Sequence, residues 1–175
     1  MVEYSQLIKF YAGKATDHSG RLLTEIWQQD YTWLEKIHDY IQWLFPLNEK
    51  SRFNFDAPIL TDEDIQIFRK HLSLRKNLSK SLKLMLGFYG LSCQTSENGA
   101  IHIQVNQSFS ERKQNWVWFS NHNHLRITRI LKSLRLLGLE KYAQALFQCL
   151  EEIYNLENGK ISFESFSYWQ DAIIY

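Results

Sequence analysis

The chain has 175 residues, 45% of them hydrophobic and 15% aromatic, which suffices for one globular domain with an aromatic-rich core. A formal net charge of +1 supplies no global field to draw nucleic acid or an anionic membrane, so any such contact must be local. Two cysteines, Cys93 and Cys149, make neither a disulfide framework nor a metal-ligand spacing, and reduced thiols in a soluble, cytoplasmic protein are the plain reading.

The opening residues, MVEYSQLIKFYAGK, are interrupted by charges and do not read as a secretory leader. No apolar run approaches the ~20 residues that span a bilayer. Gly20 precedes a short amphipathic helix, RLLTEIWQQ. Asp30 is placed to cap the next helix, TWLEKIHDYIQWLF, which must stop where Pro46 disfavours a helical Phe45. A turn-rich stretch follows, NEKSRFNFDAPIL, which Phe53 and Phe55 are expected to pin. Thr61 with Asp64 forms a shortened capping box and starts DEDIQIFRKHL. A bend over Ser73–Asn77 leads into LSKSLKLMLGFYG, closed by Gly87 and Gly90.

The period then changes from helical to alternating. Ile101, Ile103 and Val105 follow an Asn98-Gly99 turn signal, which predicts a two-stranded hairpin between 91 and 105. NHLRITRILKSLRLLG reads as a helix ended at Gly138. EKYAQALFQCLEEIYN is another, broken at Asn158-Gly159 before a last helix, SFESFSYWQDAI. No linker, repeat or low-complexity tract appears. The expected fold is all-α: a single compact multi-helix domain over 1–175, with six or seven helices and one small hairpin.

If 32–45 is one helix, Trp33, Ile37, Tyr40, Ile41, Leu44 and Phe45 share its core face. Glu35, His38, Asp39 and Gln42 form an adjoining polar stripe, with Trp43 off both groups. Two roles are open to the stripe. It can be a recognition surface edged by Trp43, or a joint hydrogen-bonded to the loop after Pro46 through Ser51 or Asn54. In the second role its carboxylates would want a cation, and Arg126 is the best placed.

The run HDYIQWLFPL at 38–47 resembles the hallmark segment of the opioid growth factor receptor family. The resemblance continues in order through FYAG, the Asn54–Leu60 stretch with Ala57-Pro58, LMLGFYGL at 84–91, HNHLRITRILKSL at 122–134, and then LGLE. It covers the chain from about Phe10 to Tyr154. It implies a non-enzymatic, receptor-like domain that recognises a peptide or protein, Met-enkephalin being the family ligand. Animal members are nuclear or perinuclear and restrain cell proliferation. Ending at Tyr175, the chain looks like the conserved region alone, as in short microbial members. The resemblance carries over no ligand-binding residue.

Other constellations are weaker. Arg126, Arg129, Lys132 and Arg135 lie on one helix, and with Trp116 and Trp118 just upstream they make nucleic acid an alternative partner, disfavoured by the near-neutral chain. His122 and His124 flank Asn123, but no further ligand lies at a metal spacing, and capping by His122 and Asn123 explains the position. No nucleophile elbow, phosphate-cradling loop or dinucleotide fingerprint is present, so no cofactor is expected. An enzyme would have to use His38 or His122 with a carboxylate. The candidate ligand-binding residues are therefore His38, Asp39, Gln42, Trp43, Trp116, Trp118, His122, Asn123, Arg126 and Arg129; the oligomeric state stays open.

Overall fold

The computed structural model describes residues 4–175; the first three residues of the expected 1–175 domain lie outside them. Two compact units emerge. The first runs to Ser81 and adds Leu136–Gly138; the second comprises Leu82–Arg135 and Leu139–Tyr175. Among the described residues there are ten α-helices and one two-stranded antiparallel sheet, so the chain is mostly α with a small hairpin. The helices outnumber the six or seven expected because one long segment is broken and short helices at 6–11 and 109–112 carry too few turns to show a period.

In the first unit, α1 (Gln6–Tyr11) starts at Ser5, whose hydroxyl accepts the Ile8 N–H. That hydroxyl donates to Asp64 at 2.6 Å. Asp64 also closes the expected capping box with Thr61 at the start of α5 (Asp62–Lys70). A buried carboxylate is thus satisfied by two helix starts at once. α2 (Leu23–Trp27) lies where its periodicity placed it. Phe10, Tyr11, Leu34, Tyr40, Leu44, Phe45 and Phe68 are fully buried.

The long helix expected over 32–45 is two helices, α3 (Tyr31–Lys36) and α4 (Ile41–Leu44). Asp30 caps α3 as expected, accepting the Trp33 N–H at 2.7 Å. Ile37 is extended (φ −93°, ψ 135°) and ends it. The Tyr40 hydroxyl takes the Leu34 carbonyl released there, so the break leaves that buried acceptor paired. Phe53 and Phe55 do not pin the loop after Pro46; they are 82% and 96% exposed. Ser51 holds it instead, accepting the N–H groups of Phe53 and Asn54, while Leu47 bridges to Ile59. The bend expected over Ser73–Asn77 falls earlier, at an extended His71, and α6 (Leu72–Tyr89) then runs unbroken through Gly87 into the second unit.

In the second unit, β1 (Leu91–Thr95) pairs with β2 (Ile101–Val105), Leu91 opposite Val105 and Thr95 opposite Ile101, around the Asn98-Gly99 turn. Gly90 stands at φ 79°, and a Cβ there would lie 2.7 Å from the Phe109 backbone, so only glycine fits. After α7 (Phe109–Arg112) come a 3-10 turn (Lys113–Asn115), α8 (Asn123–Leu136), α9 (Glu140–Leu156) and α10 (Phe163–Ile174). Arg135 donates to the carbonyls of Ala172 and Ile174, putting a cation at the C-terminal end of α10. Among the described residues no helix is long and apolar enough to cross a membrane.

Candidate binding site

The sequence candidates gather in two places, one in each unit. In the first unit the break between α3 and α4 swings Asp39 toward the loop before α2. Its Oδ1 accepts from Arg21 at 2.8 Å and its Oδ2 from Ser19 at 3.0 Å. The cation of Asp39 is therefore Arg21, not Arg126. Arg21 also holds the buried Asp17 at 2.7 Å. Partial burial pushes the Asp39 carboxyl up, but the Arg21 guanidinium, with Ser19 and His18, outweighs it and holds the group below the usual carboxylate range.

Trp43 is 5% exposed and packs edge-on against Phe10, ring centroids 5.2 Å apart. Its indole N–H donates to Nδ1 of His18 at 2.9 Å. An indole is only a donor, so Nδ1 must carry the lone pair and the His18 proton sits on Nε2, facing Asp39 at 3.3 Å. His18 was no sequence candidate. Gln42 is buried; with its NH2 turned toward the chain it donates to the carbonyls of His38 and Asp39 at 3.2 and 3.1 Å. Asn54, from the loop after Pro46, donates to the Asp39 carbonyl at 3.5 Å. Asp39, Gln42 and Trp43 are thus members of one internal network; His38 is exposed beside it.

In the second unit the segment Asn115–Asn121 forms a clamped loop. The Asn121 side chain donates to the Asn115 carbonyl at 2.9 Å, closing it. The Asn121 Oδ1 accepts the Asn123 N–H at 2.8 Å, so Asn121 satisfies a backbone donor at the start of α8. Trp116 is fully buried between Tyr89 and Phe109, its indole donating to the Tyr89 carbonyl at 3.1 Å. The Trp116 carbonyl accepts from His124 Nε2 at 2.8 Å, which leaves Nδ1 to accept from Ser165 at 2.9 Å. Both imidazole nitrogens are used, so His124 has none to offer a metal. Burial holds this imidazole below its ordinary range, against the Trp116 carbonyl, which favours the charged form, and with the charge of His122 adding to the depression. His122 is exposed; Asn123 and Arg126 are buried and bonded at 3.3 Å; Arg129 is half-buried. Neither thiol suits a nucleophile: burial pushes Cys93 up, and burial with Glu152 pushes Cys149 to about 12.

Trp116 and Val117 face in, and Trp118 and Phe119 stand out at 51% and 63% exposure. Ser120, at φ 58°, is the one non-glycine residue with positive φ among the described residues. Beside the two rings opens a cleft of about 460 Å³, floored by Val117 and edged by Gln114, Lys113 and Lys160. Lys160 arrives through a short local device. Glu157 ends α9, Gly159 turns at φ 77°, and Lys160 folds back to bond Glu157 at 2.5 Å. Lys113 bonds the same carboxylate from the other side. Of the ten sequence candidates only Trp118 lines this cleft. Phe119, Lys113 and Lys160 were missed, because WVWF is apolar throughout and carries no period that separates the buried Trp116 and Val117 from the exposed Trp118 and Phe119.

The chain is mostly helical, and its second unit carries a hairpin and an open aromatic cleft. The chain belongs to the opioid growth factor receptor family, whose conserved region matches residues 3–174. It is 43% identical over 131 residues to the opioid growth factor receptor of Mus musculus, covering 73% of this chain and 20% of that protein. The Homo sapiens opioid growth factor receptor is 42% identical over 120 residues, covering 69% and 17%. The Xenopus tropicalis opioid growth factor receptor-like protein 1 is 43% identical over 143 residues, covering 79% and 27%. The chain spans about a fifth of the length of these relatives. No solved structure matches it.

Proposed function

We propose that the chain is a non-enzymatic binding domain that recognises a peptide or a protein segment at the Trp118–Phe119 cleft. The observation that carries this is the clamped loop: two large aromatic rings are held out in solvent by a backbone that its own side chains and His124 have fixed. Burying such rings in a partner returns hydrophobic free energy of ~25 cal/mol per Å² and costs little further ordering, because the loop is already set. Aromatic side chains at a fixed patch are the usual anchors of peptide and protein interfaces. The relatives are named as receptors of an opioid growth factor, which supports a peptide ligand for this chain too.

The test is calorimetric titration of the protein with Met-enkephalin and with unrelated aromatic peptides. Binding is expected to weaken at least tenfold in Trp118→Ala and in Phe119→Ala. Unchanged affinity in both variants would remove the cleft from the account.

A further inference from the structure

Resting on that reading, we infer that the segment taken by the cleft is acidic as well as aromatic: a protein segment carrying Glu or Asp beside an apolar anchor. Two lysines line the cleft, and both bond one carboxylate, that of Glu157, which is not itself among the lining residues. Lys113 and Lys160 converge on Glu157 from two different elements, and their side chains keep 30% and 54% exposure while that of Glu157 keeps 12%. Two ammoniums carry six N–H donors, of which Glu157 accepts one from each. The Lys113 ammonium also lies over the Phe109 ring at 5.8 Å, and the two lysines carry two positive charges against the single negative charge of Glu157.

Glu157 therefore occupies the place that a ligand carboxylate would take. It keeps both lysines extended beside Trp118 and Phe119 while no ligand is bound, and its charge sets how strongly an incoming acid is drawn. The apolar floor at Val117 and the two rings accept the anchor; the ammonium rim accepts the acid next to it. A nucleic-acid strand could also stack on Trp118 and Phe119, but it presents one phosphate per nucleotide to a rim of two lysines that already share one carboxylate. The observations favour the acidic segment.

The experiment uses blocked peptides sharing a Phe-Leu-Phe core flanked by two Glu, two Gln or two Lys, titrated into the full chain at low and at 0.5 M salt. The Glu peptide is expected to bind about fivefold tighter than the Gln peptide at low salt, the range for two exposed ion pairs, with the preference collapsing at 0.5 M. The Lys peptide is expected to bind more weakly than either. Glu157→Gln should raise affinity for the Glu peptide severalfold, because both lysines are released to the ligand. Lys160→Gln, at an exposed position where folding is not at stake, should abolish most of the Glu preference. Equal binding of Glu and Gln peptides, with no response to Glu157→Gln or Lys160→Gln, overturns the acidic preference and leaves an apolar peptide site. No binding by any peptide, or binding indifferent to Trp118→Ala, overturns the reading beneath it as well. An oligo-dT strand that outcompetes the Glu peptide overturns the proposal in favour of nucleic acid.

Discussion

Trp43 and Trp118 sit in segments of similar composition, each among histidine, asparagine and aromatic neighbours, yet their fates are opposite. Trp43 gives its indole N–H to His18 and its ring to Phe10. Trp118 stands half in solvent on a loop whose polar groups are occupied elsewhere: Asn121 closes the loop and bonds the start of α8, and His124 holds the Trp116 carbonyl. A polar stripe beside an aromatic ring is therefore no sign of a site. What distinguishes the second region is that the Asn121 and His124 side chains bond its backbone while the Trp118 and Phe119 rings stay exposed.

The largest expected contrast is in stability. Trp116→Ala and Trp43→Ala should each cost about 3–5 kcal/mol, the usual range for emptying a buried large aromatic site. Trp118→Ala should stay within ~0.5 kcal/mol of the parent. Urea unfolding of the three variants checks this. A large loss in Trp118→Ala would mean the ring supports the fold and is not waiting for a partner.

Next comes the Arg21–Asp39 pair. Arg21→Ala and Asp39→Ala should each destabilise, and the double variant should lose less than the sum by about 1 kcal/mol, modest because the Asp39 side chain is 36% exposed. Additive losses in that cycle would detach Asp39 from Arg21 and return the α3–α4 break to solvent. Replacing Arg126 should show no coupling to Asp39.

The two regions also separate by pH. His124 is held neutral by burial, so protonation favours the unfolded chain. Its contribution is complete above the unfolded value of ~6.5 and is lost as pH falls below it. Asp39 is held ionised, so its contribution is complete above ~3.9 and is lost as pH falls through its lowered folded value. Stability should therefore fall in two windows on acidification. His124→Gln should flatten the upper one, and Asp39→Asn should reduce the lower one. A single acid transition unmoved by His124→Gln would contradict the buried neutral imidazole.

Much of the fold was legible because its signals are local. Asp30, the Thr61–Asp64 box, Asn98-Gly99, Gly138 and Asn158-Gly159 act through backbone geometry within a few residues. The α3–α4 break was not, because it depends on partners 18 and 20 residues away, Arg21 and Ser19, which pull Asp39 out of helical register. Phe53 and Phe55 are apolar yet exposed, because the loop is held by the Ser51 hydroxyl and not by ring burial, and apolar character alone does not distinguish the two. At the cleft, the sequence pointed to Trp118. It could not show Lys113 and Lys160, because 44 residues separate Lys113 from the carboxylate that gathers both.

The smallest perturbation, and the most direct test, is to follow the indole N–H resonances of Trp43, Trp116 and Trp118 while the Glu-flanked peptide is titrated. Trp43 and Trp116 should be protected from solvent exchange and stay in place, and Trp118 should exchange freely and move with saturation. Movement of Trp43 with a stationary Trp118 would contradict the account and transfer the binding surface to the first unit.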